Sequence, residues 1–339
     1  MRIAETAASR PLLVVPDWEE GQLLYNIRVE SADSGEPTPE LRLYPLPVFP
    51  RSVARRRCPA LAVSGTTVLG LGHDSQSTVV HDAVTRAVAP GPPLHDYKNR
   101  PAMLPVGDDA VLVMDTALRR RGDSCCFELL RLSPGGGWRA FRLPEPPVGE
   151  LNVPGKAARI SAYLALGARV WISVTGKGTF SLDVERGTWR VEGSWELPLD
   201  GRAMFVPELG SVIGLNLSLG PFRGERCLCA LDVEAGRPPV LRHVWEETYP
   251  SECLQAGHVP WGDMVSMAYL GNGTFIICRP VCVERARDGT MTRYAISFMA
   301  VQVRCLPGGE LQLTKRGQPA YYGEWPQGLW PFPYFIQPS

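Results

Sequence analysis

The stretch from Ile160 to Leu199 most constrains the fold, because its pattern predicts four short β-strands in succession. Apolar runs rich in β-branched and aromatic residues are interrupted by Gly167-Ala168, by Thr175-Gly-Lys-Gly178 and by Glu185-Arg-Gly187. These are turn sequences rather than helix caps. One such meander cannot bury its own faces, so neighbouring units of the same kind must cover them.

The same pattern recurs along the whole chain, and it divides the sequence into six units. The units cover approximately residues 11–47, 59–90, 101–143, 159–193, 201–246 and 264–315. Their second strands begin about 40 to 60 residues apart, which is typical of a four-stranded propeller blade with loop insertions. We therefore predict a single all-β domain over residues 1–339: a kelch-like, six-bladed β-propeller with four antiparallel strands per blade.

Unit one differs from the others because it lacks a first strand. An open ring would leave unpaired sheet edges, so a chain terminus is expected to close it. The candidates are Met1–Ala7 and, within residues 316–339, Tyr334-Phe-Ile336. The second is favoured by its strand-like residues, although Pro333 and Pro338 nearby cannot donate to a ladder.

Composition excludes several classes of function. The chain has 35 basic and 35 acidic residues, so no overall field draws it to nucleic acid or to an anionic membrane. No apolar run approaches the ~20 residues that a membrane helix needs. The N-terminal residues lack a secretory signal, and the nine cysteines lack paired C-x2-C spacing. We predict a monomeric cytoplasmic or nuclear protein with reduced, mostly buried thiols and no cofactor.

Several stretches resemble one known family. They are Val170–Asp183, Trp195-Glu-Leu-Pro198, Gly201–Glu208, Leu228–Asp232 and Pro239–Glu246. They look like a plant family of unknown function that is much expanded in grasses and is similar to kelch and F-box-associated propellers. The resemblance implies a propeller of plant origin and supplies no catalytic residues. The twin glycines of kelch blades occur only as fragments, at Gly135-Gly136 and Gly308-Gly309. No helical F-box is expected ahead of Leu12.

Residues that repeat between units have structural interpretations. Asp82, Asp183 and Asp232 close third strands, where a carboxylate typically caps a turn by accepting backbone N–H bonds. Tryptophans are expected to pack between blades; they are Trp138, Trp171, Trp189, Trp195 and Trp245.

Loop length distinguishes the two faces of the predicted ring. In an up-and-down blade, the second-to-third loops and the links between blades share one face, here called the long-loop face. The other two turns of each blade lie on the opposite, short-turn face. The long loops are Pro16–Gly21, His73–Gln76, Leu94–Arg100, Asp115–Ser124, Leu219–Arg226, Glu247–Asp263 and Arg279–Arg293. Long loops on a rigid ring are where binding usually occurs.

Three functions compete for the long-loop face. Exposed aromatic and arginine side chains favour a non-catalytic protein-interaction scaffold; they are Trp18, Tyr97, Arg119, Arg120, Arg121, Phe222, Arg223, Tyr249, Trp261, Arg285 and Arg287. Histidines and aspartates suggest a metal-dependent or sugar-directed hydrolase; they are His73, Asp74, His95, Asp96, His258 and Asp263. A third alternative is a substrate-recognition subunit that acts with a separate ubiquitin-ligase adaptor. No catalytic motif is present, so we favour the scaffold and a protein partner.

Overall fold

The computed structural model describes residues 12–17, 21–30, 40–45, 61–64, 67–71, 76–82, 85, 87–118, 125–149, 158–217, 226–248, 259–260, 265–285, 291–316, 320–326 and 334–336. Most of these residues lie in β-strands, and helix is confined within the described ranges to the 3-10 turns Pro207–Leu209 and Glu246–Thr248. In this part of the chain, no helix is long and apolar enough to cross a membrane.

Unit one forms three strands, β1 (Leu12–Asp17), β2 (Gly21–Glu30) and β3 (Glu40–Pro45). The units that follow form blades, which keep their unit numbers. Blade two has β4 (Leu61–Ser64), β5 (Thr67–Leu71), β6 (Thr78–Asp82) and β7 (Val88–Pro90). Blade three has β8 (Pro101–Val106), β9 (Ala110–Asp115), β11 (Phe127–Leu132) and β12 (Trp138–Arg142), with β10 (Ala117–Leu118) between β9 and β11 in sequence.

Blade four has β13 (Ala158–Leu166), β14 (Arg169–Val174), β15 (Gly178–Asp183) and β16 (Thr188–Gly193). It is followed by β17 (Gly201–Arg202) and by blade five, with β18 (Met204–Val206), β19 (Ser211–Leu217), β20 (Arg226–Asp232) and β21 (Val240–Trp245). Blade six has β22 (Val259–Pro260), β23 (Ser266–Gly271), β24 (Thr274–Arg285), β25 (Met291–Cys305), β26 (Leu311–Lys315) and β27 (Ala320–Pro326). The last strand is β28 (Tyr334–Ile336).

The chain forms an all-β propeller, but the predicted six blades of four strands each are wrong. Five blades, two to six, are built from consecutive strands of one continuous stretch of chain. The sequence counted unit one as a sixth blade, whereas it supplies only three strands to a composite closing sheet ordered β28-β1-β2-β3. Two sheets also contain six strands rather than four, and one of them includes the parallel pair β13–β17.

The C-terminal candidate is the one that pairs with unit one. Leu12, Leu13 and Val14 lie opposite Ile336, Phe335 and Tyr334 in antiparallel register. The prediction that this segment supplies the missing strand is confirmed. Strand β28 also contacts β4 and β23, so the closing sheet lies between blades two and six.

Blade six contains the largest error in strand length. The sequence predicted a long loop over Arg279–Arg293, but β24 continues to Arg285 and β25 begins at Met291. Pro280 and the charged pair Glu284-Arg285 gave this segment a loop-like composition. Pairing with β22 on one side and with β25 on the other keeps it extended.

The predicted turns of blade four are confirmed, and glycine is required at them. Gly167, Gly176 and Gly187 have φ of 59°, 71° and 61°, which side chains with a Cβ rarely adopt. Carboxylates cap two of the three predicted turns, since Asp82 and Asp183 accept the amides of Thr85 at 2.7 Å and Arg186 at 3.0 Å. Asp232 does not follow this pattern and instead accepts from Oγ of Ser211 at 3.3 Å.

Most of the described hydrophobic core lies between blades. Four clusters each join two consecutive blades, from the pair two and three to the pair five and six, and a small one, Val281 with Ala295, lies within blade six. Trp189 of blade four meets Phe127 of blade three edge to face at 5.2 Å, and Trp245 of blade five packs with Phe275 of blade six. The predicted packing role of the tryptophans is therefore confirmed at these positions.

Candidate functional site

Only part of the predicted site lies within the described residues. His95, Asp96 and Tyr97 are described with their side chains, and Arg285 is described by its backbone in β24. The other candidates lie outside the described residues; they are Trp18, His73, Asp74, Arg119, Arg120, Arg121, Phe222, Arg223, Tyr249, His258, Trp261, Asp263 and Arg287.

The link from blade two to blade three lies against the second-to-third loop of blade three, as the assignment of faces predicts. The amide of Asn99 donates to Oδ2 of Asp115 at 2.9 Å, and the amide of Thr116 donates to the carbonyl of Arg100 at 2.8 Å. At the other end of the loop, the amide of Cys125 donates to Oδ2 of Asp96 at 3.0 Å. The inter-blade link therefore contacts both described ends of the second-to-third loop, at Asp115 and Thr116 and at Cys125.

A buried carboxylate holds this surface in place. Glu128 of β11 is fully buried, and its Oε2 accepts the amide of His95 at 2.8 Å and lies 2.6 Å from Nδ1 of the same histidine. Its Oε1 accepts the amide of Asp96 at 3.2 Å and Nζ of Lys98 at 2.5 Å. We call His95, Asp96, Lys98, Cys125 and Glu128 the Glu128 network.

Lys98 is the second buried charge of the Glu128 network. Besides Glu128, its Nζ donates to the carbonyls of Asp96 at 2.9 Å and Cys125 at 2.8 Å. An ammonium has three N–H donors, so these three contacts satisfy it completely. Lys98 thus joins the inter-blade link to Cys125, at the end of the second-to-third loop, and to Glu128 of β11.

The chemistry available to the network is limited by these contacts. Since a carboxylate accepts, the contact with Glu128 places a proton on Nδ1 of His95, while the carboxylate of Asp96 accepts the amides of Tyr97 and Cys125. Burial, reinforced by the carboxylate of Glu128, raises the pKa of the Cys125 thiol. Among the described residues, no group of three or more His, Cys, Asp and Glu side chains is placed to hold a metal ion.

The described ends of the segment predicted as the long loop Arg279–Arg293 have different environments. Arg279 is only 2% exposed, and its Nη2 donates to the carbonyls of Arg226 and Thr248. Arg293 is exposed, with Nε 3.7 Å from Oε2 of Glu284. This segment therefore begins at a buried arginine and ends near an exposed ion pair.

Sequence reasoning missed Glu128 and Lys98, which carry the network. The signal available was a carboxylate inside the apolar run Cys126-Phe-Glu-Leu-Leu130, where a fully buried acid needs a partner. The sequence does not say which of the basic residues supplies that partner.

Comparison with known proteins gives a family. A family model described as "Protein of unknown function (DUF1668)" matches residues 10–322. The chain belongs to this family. No curated protein matches it. Membership in the DUF1668 family agrees with the uncharacterised family that the sequence resembles, and it leaves the function to be proposed from the site.

Proposed function

We propose that this DUF1668 protein is a non-catalytic scaffold that binds a protein partner through its long-loop face. The observation that supports the proposal is the Glu128 network, which holds the inter-blade link Leu94–Arg100 in place through hydrogen bonds to the blade and to Cys125. A link that is already held in one conformation loses less conformational entropy on binding, so its exposed groups contribute more of their contact energy to affinity.

The surface carries side chains suited to an interface. The side chain of His95 is 38% exposed, and Tyr97 follows it at an intermediate exposure. Tyrosine, tryptophan and arginine are the residues that most often dominate binding energy at protein interfaces. The aromatic candidates Phe222 and Trp261 belong to other loops assigned to the same face.

The biological setting is part of the proposal. The resemblance to a plant family similar to kelch and F-box-associated propellers suggests a plant cell, with the cytosol or nucleus as compartment. The cysteines support a reducing compartment, because the seven described ones form no disulfide and six of them are buried.

Binding measurements on variants of the two faces test the proposal. A partner captured from the source tissue is purified, and its Kd is measured with wild type and with Tyr97→Ala, Phe222→Ala and Trp261→Ala. We expect at least one of these variants to weaken binding by about 1 to 3 kcal/mol while the fold is retained. The matched control is Arg186→Ala in a short turn, where the side chain is 81% exposed and binding should be unchanged.

Two outcomes would count against the scaffold. If Arg186→Ala weakens binding and the long-loop variants do not, the partner uses the opposite face. If purified protein carries stoichiometric zinc or manganese and His95→Ala abolishes a hydrolytic turnover, the enzyme hypothesis replaces the scaffold.

A further inference from the structure

Two turns of neighbouring blades meet at the backbone amide of Gly273. Asn272 and Gly273 form the turn between β23 and β24 of blade six, and Glu208 lies in the 3-10 turn between β18 and β19 of blade five. Both turns join the first and second strands of a blade, so both lie on the short-turn face. The amide of Gly273 donates to Oε1 of Glu208 and to the hydroxyl of Tyr269, each at 3.4 Å. A carboxylate of blade five is therefore in hydrogen-bond contact with a backbone amide of blade six.

The residue before this amide is an asparagine in an uncommon conformation. Asn272 has φ of 53°, and within the described ranges no other residue except glycine has a positive φ. It is exposed, and its main-chain carbonyl accepts Nε2 of Gln302 at 3.1 Å. Among the described residues, none forms a hydrogen bond with the side-chain amide of Asn272. This amide is therefore accessible and is not held by the residues described around it.

An asparagine that precedes a glycine has the atoms to convert its own amide into a carboxylate. The backbone nitrogen of the next residue attacks the side-chain carbonyl carbon, and glycine permits this approach because it has no Cβ. The hydrogen on that nitrogen must leave as the new bond forms. A carboxylate that already accepts a hydrogen bond from this amide is positioned to take the proton. Glu208 is in that position at Gly273.

We propose that Asn272 is a self-modification site, at which the native protein deamidates with Glu208 as the proton acceptor. A bond forms between the nitrogen of Gly273 and Cγ of Asn272, and the bond from Cγ to Nδ2 breaks. The proton that Glu208 takes from Gly273 passes to Nδ2, which leaves as ammonia. Water then opens the cyclic succinimide at either of its carbonyl groups and leaves aspartate or isoaspartate at position 272. The reaction consumes water, releases ammonia and involves no oxidation or reduction.

Both products change the contact between blades five and six. Aspartate at position 272 places a second carboxylate beside Glu208, and like charges repel. Isoaspartate routes the main chain through the former side chain, which lengthens the turn by a methylene group. The turn has little room for this change, because the carbonyl of Gly273 accepts the amide of Val303 at 2.8 Å and a Cβ on Gly273 would overlap Val303. Deamidation at Asn272 therefore weakens this turn and its contact with Glu208.

The proposal goes beyond the scaffold function and concerns the opposite face, so the two can fail separately. The full chain is incubated in its native state at mildly alkaline pH, and peptide mass mapping follows the conversion of each asparagine to aspartate and isoaspartate. We expect Asn272 to convert at least about tenfold faster than Asn99. Asn99 is the internal comparison: the amide of Arg100 that follows it also donates to a carboxylate, Oδ1 of Asp115 at 3.0 Å, but Arg100 has a Cβ.

Glu208→Gln tests the role of the carboxylate. Glu208 is exposed, so the variant should fold, and it should slow the conversion of Asn272 in native protein by about tenfold or more. In guanidinium chloride the fold no longer holds Glu208 at Gly273, so wild type and Glu208→Gln should convert at the same rate. The matched control Glu234→Gln, at an exposed carboxylate in another short turn of blade five, should convert like wild type in both conditions. Equal native rates at Asn272 and Asn99, or equal native rates at Asn272 in wild type and Glu208→Gln, would overturn the proposal.

Discussion

Nζ of Lys98 lies 2.5 Å from Oε1 of Glu128, and neither side chain is exposed to solvent. The two residues come from different parts of the chain, the link before blade three and its third strand. Desolvating both charges offsets much of their attraction, so the pair as a whole adds little to stability. Removing one partner is different, because the other charge is then left buried and unpaired.

Lys98→Met should therefore lower the free energy of unfolding by about 3 to 5 kcal/mol, measured by urea denaturation. Methionine keeps the length of the side chain and removes the charge and three hydrogen bonds. Arg139→Met is the matched control: this exposed cation of β12 should change stability by less than about 0.5 kcal/mol. If Lys98→Met and Arg139→Met lower the free energy of unfolding equally, the buried pair of Lys98 and Glu128 does not stabilise the link.

A second prediction concerns the turn between β23 and β24. Gly273 has φ of 68°, and a Cβ there would lie 2.0 Å from the carbonyl oxygen of Val303. Because that oxygen belongs to the backbone of β25, it cannot move aside without breaking the sheet. Gly273→Ala should cost about 3 kcal/mol or more, combining left-handed strain with steric overlap.

Gly107→Ala is the control that has the left-handed backbone strain without the steric overlap. Gly107 has a similar φ of 64°, but a Cβ there would meet nothing within 4 Å. This variant should cost only about 1 to 2 kcal/mol, the strain of a left-handed alanine. If both variants lose the same stability by thermal denaturation, the close contact with Val303 does not exist in solution.

Much of the fold could be predicted because its turns have strong local signals. Glycines such as Gly167 and Gly187 stand where positive φ is required, and strand residues between them are β-branched or aromatic. The two-residue strands β10 and β17 escaped prediction, since two residues carry no periodicity. The blade count failed for a different reason: the three strand segments of unit one have the same local pattern whether they form a blade of their own or part of a composite closing sheet.

The candidate site was less accessible to sequence reasoning. The faces of the ring could be assigned from strand order alone, and the contact of Asn99 with Asp115 follows that assignment. The pairing of Lys98 with Glu128 spans 30 residues and depends on how the link folds back over blade three. Residue type suggested a metal site that includes His95 and Asp96, which stays a prediction because the other four candidate ligands lie outside the described residues. The hydrogen bonds of His95 and Asp96 to Glu128 and Cys125 had no signal in the sequence.

A third prediction concerns cysteine reactivity. Burial raises the pKa of Cys229 to about 12 and also raises the pKa of Cys278, whereas Cys305 is exposed. The thiolate is the reactive form, so in native protein at mildly alkaline pH iodoacetamide should modify Cys305 at least about a hundredfold faster than Cys229. Peptide mass mapping measures the two rates. In guanidinium chloride the difference should disappear; if the two thiols already react alike in native protein, Cys229 is not buried.

The last prediction concerns pH and the contact between blades four and five. Glu192 of β16 is almost fully buried and accepts hydrogen bonds from Oγ of Ser181 at 2.5 Å, from Nε of Arg190 at 2.8 Å and from the amide of Gly236 at 2.8 Å. Desolvation raises the pKa of Glu192, but the hydrogen bonds from Ser181, Arg190 and Gly236, with the charge of Arg190, lower it by more. The net pKa is therefore below that of an ordinary glutamate.

A folded-state pKa below the unfolded value means that the native protein binds fewer protons than the unfolded chain. The resulting stability is fully present above the unfolded pKa and is lost as pH falls through the folded one. Glu192→Gln should lower the free energy of unfolding by about 1 to 3 kcal/mol near neutral pH. This difference in stability between wild type and the variant should become smaller as the pH falls from about 5 to about 3. Glu310→Gln, at an exposed position of the last turn of blade six, should follow wild type throughout. Urea denaturation across this pH range measures the free energy of unfolding of all three proteins. If the difference between wild type and Glu192→Gln stays constant, Glu192 does not titrate as proposed.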